Sequence, residues 1–178
     1  MRKITLEELK ALAVDAQGSI DHIYLHWSGG HYGQFYADYH VNIDSDGTIY
    51  VSTDDLTEVK AHTWRRNTGS IGVSLACCAF ATSKNLGTEP PTTAQIECIA
   101  QVIATLCIHL DLPCDAMYVM THGEAGDNID GGTAYTPYGQ NTTCERWDLA
   151  RLSNGDPWGS GGDILRGKAN FYINQGGL

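Results

Sequence analysis

Tyr24-Leu25-His26-Trp27-Ser28-Gly29-Gly30 begins as a strand and ends as a loop. Ile23, Tyr24 and Leu25 are apolar and β-prone, and Ser28, Gly29 and Gly30 then break the run. His26 therefore stands at a strand end, facing a glycine-rich opening. An imidazole there can hold a metal or a proton at the rim of a sheet. A lone histidine in that position reads more simply as a half-buried strand residue with one hydrogen bond. This chain supplies a second one. Tyr118-Val119-Met120 is another β-prone run, and Thr121-His122-Gly123-Glu124 follows it. Two histidines on two strand ends, remote in sequence, can serve one site.

Outward from this pair, the pattern predicts alternating strands and helices. Thr5 to Ala16 reads as a short helix with Leu6, Leu9, Leu12 and Val14 on its apolar face, after a polar helix start at the N-terminus. Residues 22 to 27 are the first strand. Asp38 to Ile43 and Thr48 to Ser52 flank Asp44-Ser45-Asp46-Gly47 as a β-hairpin, with Gly47 free to take positive φ. Ile71-Gly72-Val73-Ser74-Leu75-Ala76-Cys77 has the apolar character of a central strand. Thr92 and Gln95 form a capping box, and Ile96, Ile99, Ile103, Leu106 and Leu110 recur at helical spacing behind it. Residues 117 to 121 make a further strand. Gly123 to Thr143 reads as a long glycine-rich loop, Trp147 to Leu152 as a helix start, and residues 162 to 172 as a final short helix.

Composition narrows the class. The 178 residues suit one domain with a sizeable core, and 42% hydrophobic content fits a globular chain. A net charge of −10 argues against nucleic acid and against adsorption to an anionic membrane. No run reaches the roughly 18 consecutive apolar residues of a membrane span. The polar start lacks the apolar core of a secretion signal, so the expectation is synthesis in the cytoplasm. No pair among the six cysteines has CxxC spacing, which disfavours a zinc finger. Cys98 and Cys107 fall in the apolar pattern as small buried hydrophobes, and cytoplasmic synthesis favours free thiols.

A catalytic zinc site usually takes three protein ligands and leaves a fourth position open. His26 and His122 are two candidates, and the third should follow His122. Cys144 and Asp148 both qualify by type: a thiolate neutralises more metal charge, and a carboxylate is the harder donor. Asp148 also reads as the N-cap of a helix starting at Leu149. The loop residues His31, Tyr32, Phe35 and Tyr36 read equally as a substrate wall or as ordinary aromatic packing.

Several blocks occur in order: Leu25-His26-Trp27-Ser28; Tyr39-His40-Val41-Asn42-Ile43-Asp44-Ser45-Asp46-Gly47; Ala61-His62; Asn67-Thr68-Gly69-Ser70-Ile71-Gly72-Val73-Ser74-Leu75; and Thr121-His122-Gly123-Glu124. Together they resemble the zinc-dependent N-acetylmuramoyl-L-alanine amidases of the peptidoglycan-recognition-protein and phage-lysozyme type. The likeness runs from residue 22 to residue 152 and leaves 153–178 as a C-terminal extension of a single amidase domain. It implies an α/β fold, a mixed central sheet flanked by helices. It implies zinc held by His26, His122 and a cysteine or aspartate, and hydrolysis of the bond between N-acetylmuramic acid and L-alanine in peptidoglycan. Phage-type members place a cysteine just ahead of Phe-Asp-Leu, and Cys144 stands so before Trp147-Asp148-Leu149, which leans the third ligand to Cys144. Tyr39 matches a tyrosine beside the catalytic water. Glu124 is a candidate proton shuttle, and Trp27, His31, Tyr32, Phe35, His62 and Arg146 are candidate substrate contacts. Many bacterial members carry a glutamate where this chain has Ser74. Phage-type members carry a lysine between the second histidine and the cysteine. This chain has none, so the oxyanion role falls to Arg146, Thr143 or His62. The implied biology is a phage or prophage lysin that acts on the cell wall after release. The alternative is a muropeptide-binding module without catalysis.

Overall fold

A computed structural model describes residues 1–127, 129 and 147–176. Along the chain run β1 (Arg2–Ile4), α1 (Leu6–Ala16), β2 (His22–Trp27), β3 (Val41–Ile43), β4 (Ile49–Val51), β5 (Ser70–Leu75), α2 (Thr93–Leu110), β6 (Val119–Thr121), α3 (His122–Gly126) and α4 (Gly161–Asn174). Among the described residues the strands form one sheet in the order β1-β4-β3-β5-β2-β6. β3 and β4 pair antiparallel as the expected hairpin, with Gly47 at φ +84° in its turn. β3, β5, β2 and β6 run parallel to one another, which makes the sheet mixed.

The two faces of the sheet separate core from chemistry. Successive strand residues point to opposite sides. Ile23, Leu25 and Trp27 of β2 and Ile71, Val73 and Leu75 of β5 join one large apolar cluster with Ile99, Ile103 and Leu106 of α2. Tyr24 and His26 point the other way, as do Gly72 and Ser74, their partners in register. α2 opens with the Thr92–Gln95 capping box and is packed by α1 and α4. In length and apolar content it matches a membrane span, yet most of it is buried inside this fold.

Four expectations change. The N-terminus is an edge strand, β1, paired with β4, and the helix begins only after the Thr5 cap. On α1, Val14 is exposed, and Ala13 and Ala16 take the buried face. His122–Gly126 is a short helix where a loop is expected, because Thr121 and Glu124 cap it reciprocally. Residues 147–152 are turns and not a helix start, so Asp148 caps nothing. The turn closes with Ala150 N–H donating to the Trp147 carbonyl, and Leu149 sits in the left-handed region at φ +59°. A helix cannot propagate through such a residue.

Residues 153–176 do not trail from the fold. α4 packs along α2, and Leu165 and Ala169 enter the main core. Arg166 is buried. It donates to the Val119 carbonyl at 2.9 Å and forms a two-point pair with the Glu124 carboxylate at 2.8 Å. At the start of α4, a Cβ on Gly161 would lie 1.8 Å from the Leu149 carbonyl oxygen. That glycine lets the helix close directly on the turn that carries Asp148.

Candidate metal centre

In open α/β sheets, ligand sites form outside the carboxyl ends of parallel strands. Here β2 delivers His26 near its end, β6 ends at the Thr121 cap so that His122 starts α3, and the 147–150 turn brings Asp148 over both. The His26 Nδ1 lies 3.1 Å from the His122 Nδ1 and 3.0 Å from the Asp148 Oδ2. The His122 Nδ1 lies 3.1 Å from the Asp148 Oδ1. One donor atom from each of the three residues falls within a 4.8 Å span. Gly123 N–H donates to the Asp148 backbone carbonyl at 3.4 Å, tying α3 to the turn.

The electrostatics of the cluster suit a cation. His26 is fully buried, and burial pulls its pKa down to about 4 against the opposing pull of Asp148, so the ring is neutral at pH 7. Burial by itself raises the Asp148 carboxyl, but the facing His122 and His26 rings outweigh it and hold it well below the usual carboxylate range. Asp148 is only 4% exposed, and no lysine or arginine pairs with it among the described residues. A buried anion opposite two imidazoles, with no lysine or arginine paired to it among the described residues, is a donor set for a divalent metal. Two nitrogens and one carboxylate oxygen match the ligand preferences of zinc.

Tyr39 stands beside this cluster, its ring centroid 4.9 Å from that of His26. Burial raises its phenol pKa, and the Asp148 charge adds to the effect, so the phenol keeps its proton at neutral pH. Ser74, paired with His26 in register, is fully buried next to Tyr39. Its hydroxyl has no hydrogen-bond partner among the described residues.

Several expected site residues lie elsewhere. His62 is buried under His26, ring centroids 5.4 Å apart, and not in a substrate wall. Burial and the neighbouring His26 and His40 drive its pKa down to about 2. It fits only because β5 carries Gly72: a Cβ there would lie 2.7 Å from the His62 Cγ. Trp27 cannot be a substrate contact beside His26 either. Alternation turns it to the core face, where it is 7% exposed and meets Trp147 edge-on at 5.0 Å. The Glu124 carboxylate is turned away from the histidines, held by Arg166 and by the Thr121 N–H. In this fold it caps α3 and anchors α4, at the position where the sequence reading expects a proton shuttle. The Thr121-x-x-Glu124 spacing is the sequence signal for that cap.

The aromatic loop is largely pinned. Tyr32 donates its hydroxyl to the Pro90 carbonyl, and Phe35 stacks on Tyr50 at 4.4 Å. His31 stays exposed, with Nδ1 2.6 Å from the Glu89 carboxylate. Cys144, Arg146 and Thr143 lie outside the described residues. Sequence reasoning also passes over Thr63, which sits between His26 and His62, and Arg166, which fixes Glu124.

The chain belongs to the N-acetylmuramoyl-L-alanine amidase family, whose model matches residues 16–146. Among solved structures it is similar to N-acetylmuramoyl-L-alanine amidase LysC from Clostridium intestinale URNW. That match has 17% identity and a TM-score of 0.44, over 70% of this chain and 80% of that one. It is also similar to Drosophila peptidoglycan recognition protein SD, at 13% identity and a TM-score of 0.45, over 71% of this chain and 85% of that one. PGRP-Hd from Alvinella pompejana matches at 18% identity and 0.42, over 79% and 83%. No curated protein matches the chain.

Proposed function

We propose that this protein is a zinc-dependent amidase that cleaves the bond between N-acetylmuramic acid and L-alanine in peptidoglycan. The observation that carries the reading is the convergence of His26 Nδ1, His122 Nδ1 and an Asp148 carboxylate oxygen within 4.8 Å, in a chain of the amidase family. His26, His122 and Asp148 hold the metal. Lewis-acid activation of water and of the scissile carbonyl is the chemistry that zinc supplies when bound. Tyr39, protonated beside His26, orients the water or the substrate oxygen through its hydroxyl. The buried, neutral His26 imidazole and the ionised Asp148 carboxylate are in the protonation states that metal binding requires. The net charge of −10 supports a substrate other than nucleic acid. The reading includes a bacteriolytic role as a phage or prophage lysin, made in the cytoplasm and acting on the wall after release. The phage-type resemblance around Tyr39 supports it.

Purified protein should contain one zinc per chain and, on defined muropeptides, should liberate new L-alanine amino termini without new reducing sugar ends. New reducing ends would mean a glycosidase and sink the proposal. Muropeptide binding with neither product would point to recognition without catalysis.

A further inference from the structure

His26 has two ring nitrogens, and only an Nδ1 that carries no proton can donate to a metal between His122 and Asp148. In an isolated imidazole either nitrogen takes the proton. Behind His26 runs a buried file of side chains: His26 Nε2 to Thr63 Oγ1 at 3.3 Å, Thr63 Oγ1 to His62 Nδ1 at 2.9 Å, His62 Nε2 to Ser70 Oγ at 3.4 Å. The file ends on backbone. The Ser70 hydroxyl donates to the Arg66 carbonyl at 2.7 Å, with the Asn67 carbonyl at 3.0 Å.

Carbonyl oxygens only accept, and that fixes the direction of every bond in the file. Ser70 spends its proton on the carbonyl and turns a lone pair to His62, so His62 carries its proton on Nε2. The His62 Nδ1 is then an acceptor and takes the Thr63 hydroxyl proton. Thr63 Oγ1 is left with a lone pair toward His26. The file thus favours the His26 proton on Nε2, against the Asp148 carboxylate 3.0 Å from Nδ1, which competes for that proton until a cation takes its place. The backbone of the pair is locked as well, since the His62 and Thr63 N–H groups both donate to the Asn67 Oδ1, at 3.2 and 2.8 Å.

We propose that Thr63, backed by His62 and Ser70, is a positioning residue that selects the metal-binding tautomer of His26 and holds its ring toward the site. The inference rests on the zinc reading above and deepens it.

Partners of a metal-ligating histidine typically contribute 10–100-fold in metal affinity. Thr63→Val keeps the shape and removes the hydroxyl, so zinc affinity should fall by about that factor. Thr63→Ser should restore it. Affinity is read on metal-free protein by competition with a chromophoric chelator, independent of any turnover. Equal affinity in wild type and Thr63→Val would overturn the relay and leave the amidase reading intact, whereas a wild type without zinc affinity would overturn both. Should Thr63→Val fail to fold, nitrogen-15 spectra of zinc-loaded wild type decide. The relay requires the His26 proton on Nε2, and a proton on Nδ1 refutes it.

Discussion

Asp148 and Cys144 are both candidates for the third ligand by chemical type, and Asp148 is the one among the described residues. Asp148 is buried against both imidazoles, held there by backbone and side chain alike. We expect Asp148→Asn to lose zinc, because a neutral amide oxygen replaces the one anionic donor at the cluster. Cys144→Ser should retain zinc. Metal analysis of the two variants checks this, and the reverse pattern would return the third ligand to Cys144. Tyr39 makes a separate case. Its phenol remains protonated at neutral pH, so it is available as a hydrogen-bond donor and the metal does not need it. Tyr39→Phe should keep zinc and slow kcat by roughly 10²–10⁴-fold, the range of a proton-transfer partner. An unchanged rate on a defined muropeptide would reduce Tyr39 to a packing role.

At the scale of elements, α3 and α4 are joined through one carboxylate. Glu124 caps α3 by accepting the Thr121 N–H at 2.8 Å and receives two bonds from Arg166 of α4. Arg166 keeps a second partner in Asp163 at 2.7 Å and Glu124 is part-buried, so losing this pair falls at or below the low end of the about 3–5 kcal/mol typical of a buried one. Glu124→Gln should therefore lower the unfolding free energy by a few kcal/mol, seen as a reduced denaturation midpoint, with the surviving folded protein still turning over. A proton-shuttle role would give the opposite split, with stability kept and kcat lost. The Thr121-x-x-Glu124 box is visible in the sequence, but its partner Arg166 lies 42 residues further on and no local pattern connects them. The absence of the helix expected at 147–152 has a similar cause. Leu149 has ordinary helix propensity, and its left-handed backbone is imposed by the close approach of Gly161 and by burial of its side chain.

At the scale of the whole molecule, the proposed metal and the fold would support each other. The proposed ligands come from β2, from the start of α3 and from the 147–150 turn, so a bound ion would bridge segments separated by 96 and 26 residues. Ligand that binds only the native state stabilises it by mass action, about 2.7 kcal/mol at a free concentration 100 times Kd. Chelating zinc from the purified protein should lower Tm, and zinc, but not magnesium, should restore it. Magnesium prefers six oxygens in a near-octahedral cage, which two imidazoles and one carboxylate do not provide. A Tm indifferent to chelation would mean that no metal is held at this cluster.

Local periodicity determined a good deal of this protein. A short apolar, β-prone run marked β2, the turn between two β-prone runs marked the β3–β4 hairpin, helical spacing behind the Thr92–Gln95 box marked α2, and the two strand-end histidines were visible as a potential pair. These features depend on neighbours within a turn or a strand, which the sequence records directly. Tertiary structure alone brings Asp148 to His26 and His122, through a 147–150 turn pinned by Gly161. It also decided that Trp27 faces the core and that His62 lies beneath the site and not within it. The reason is physical: strand alternation gives two faces without naming them, and only the packing of α2 on one face leaves the other free for chemistry.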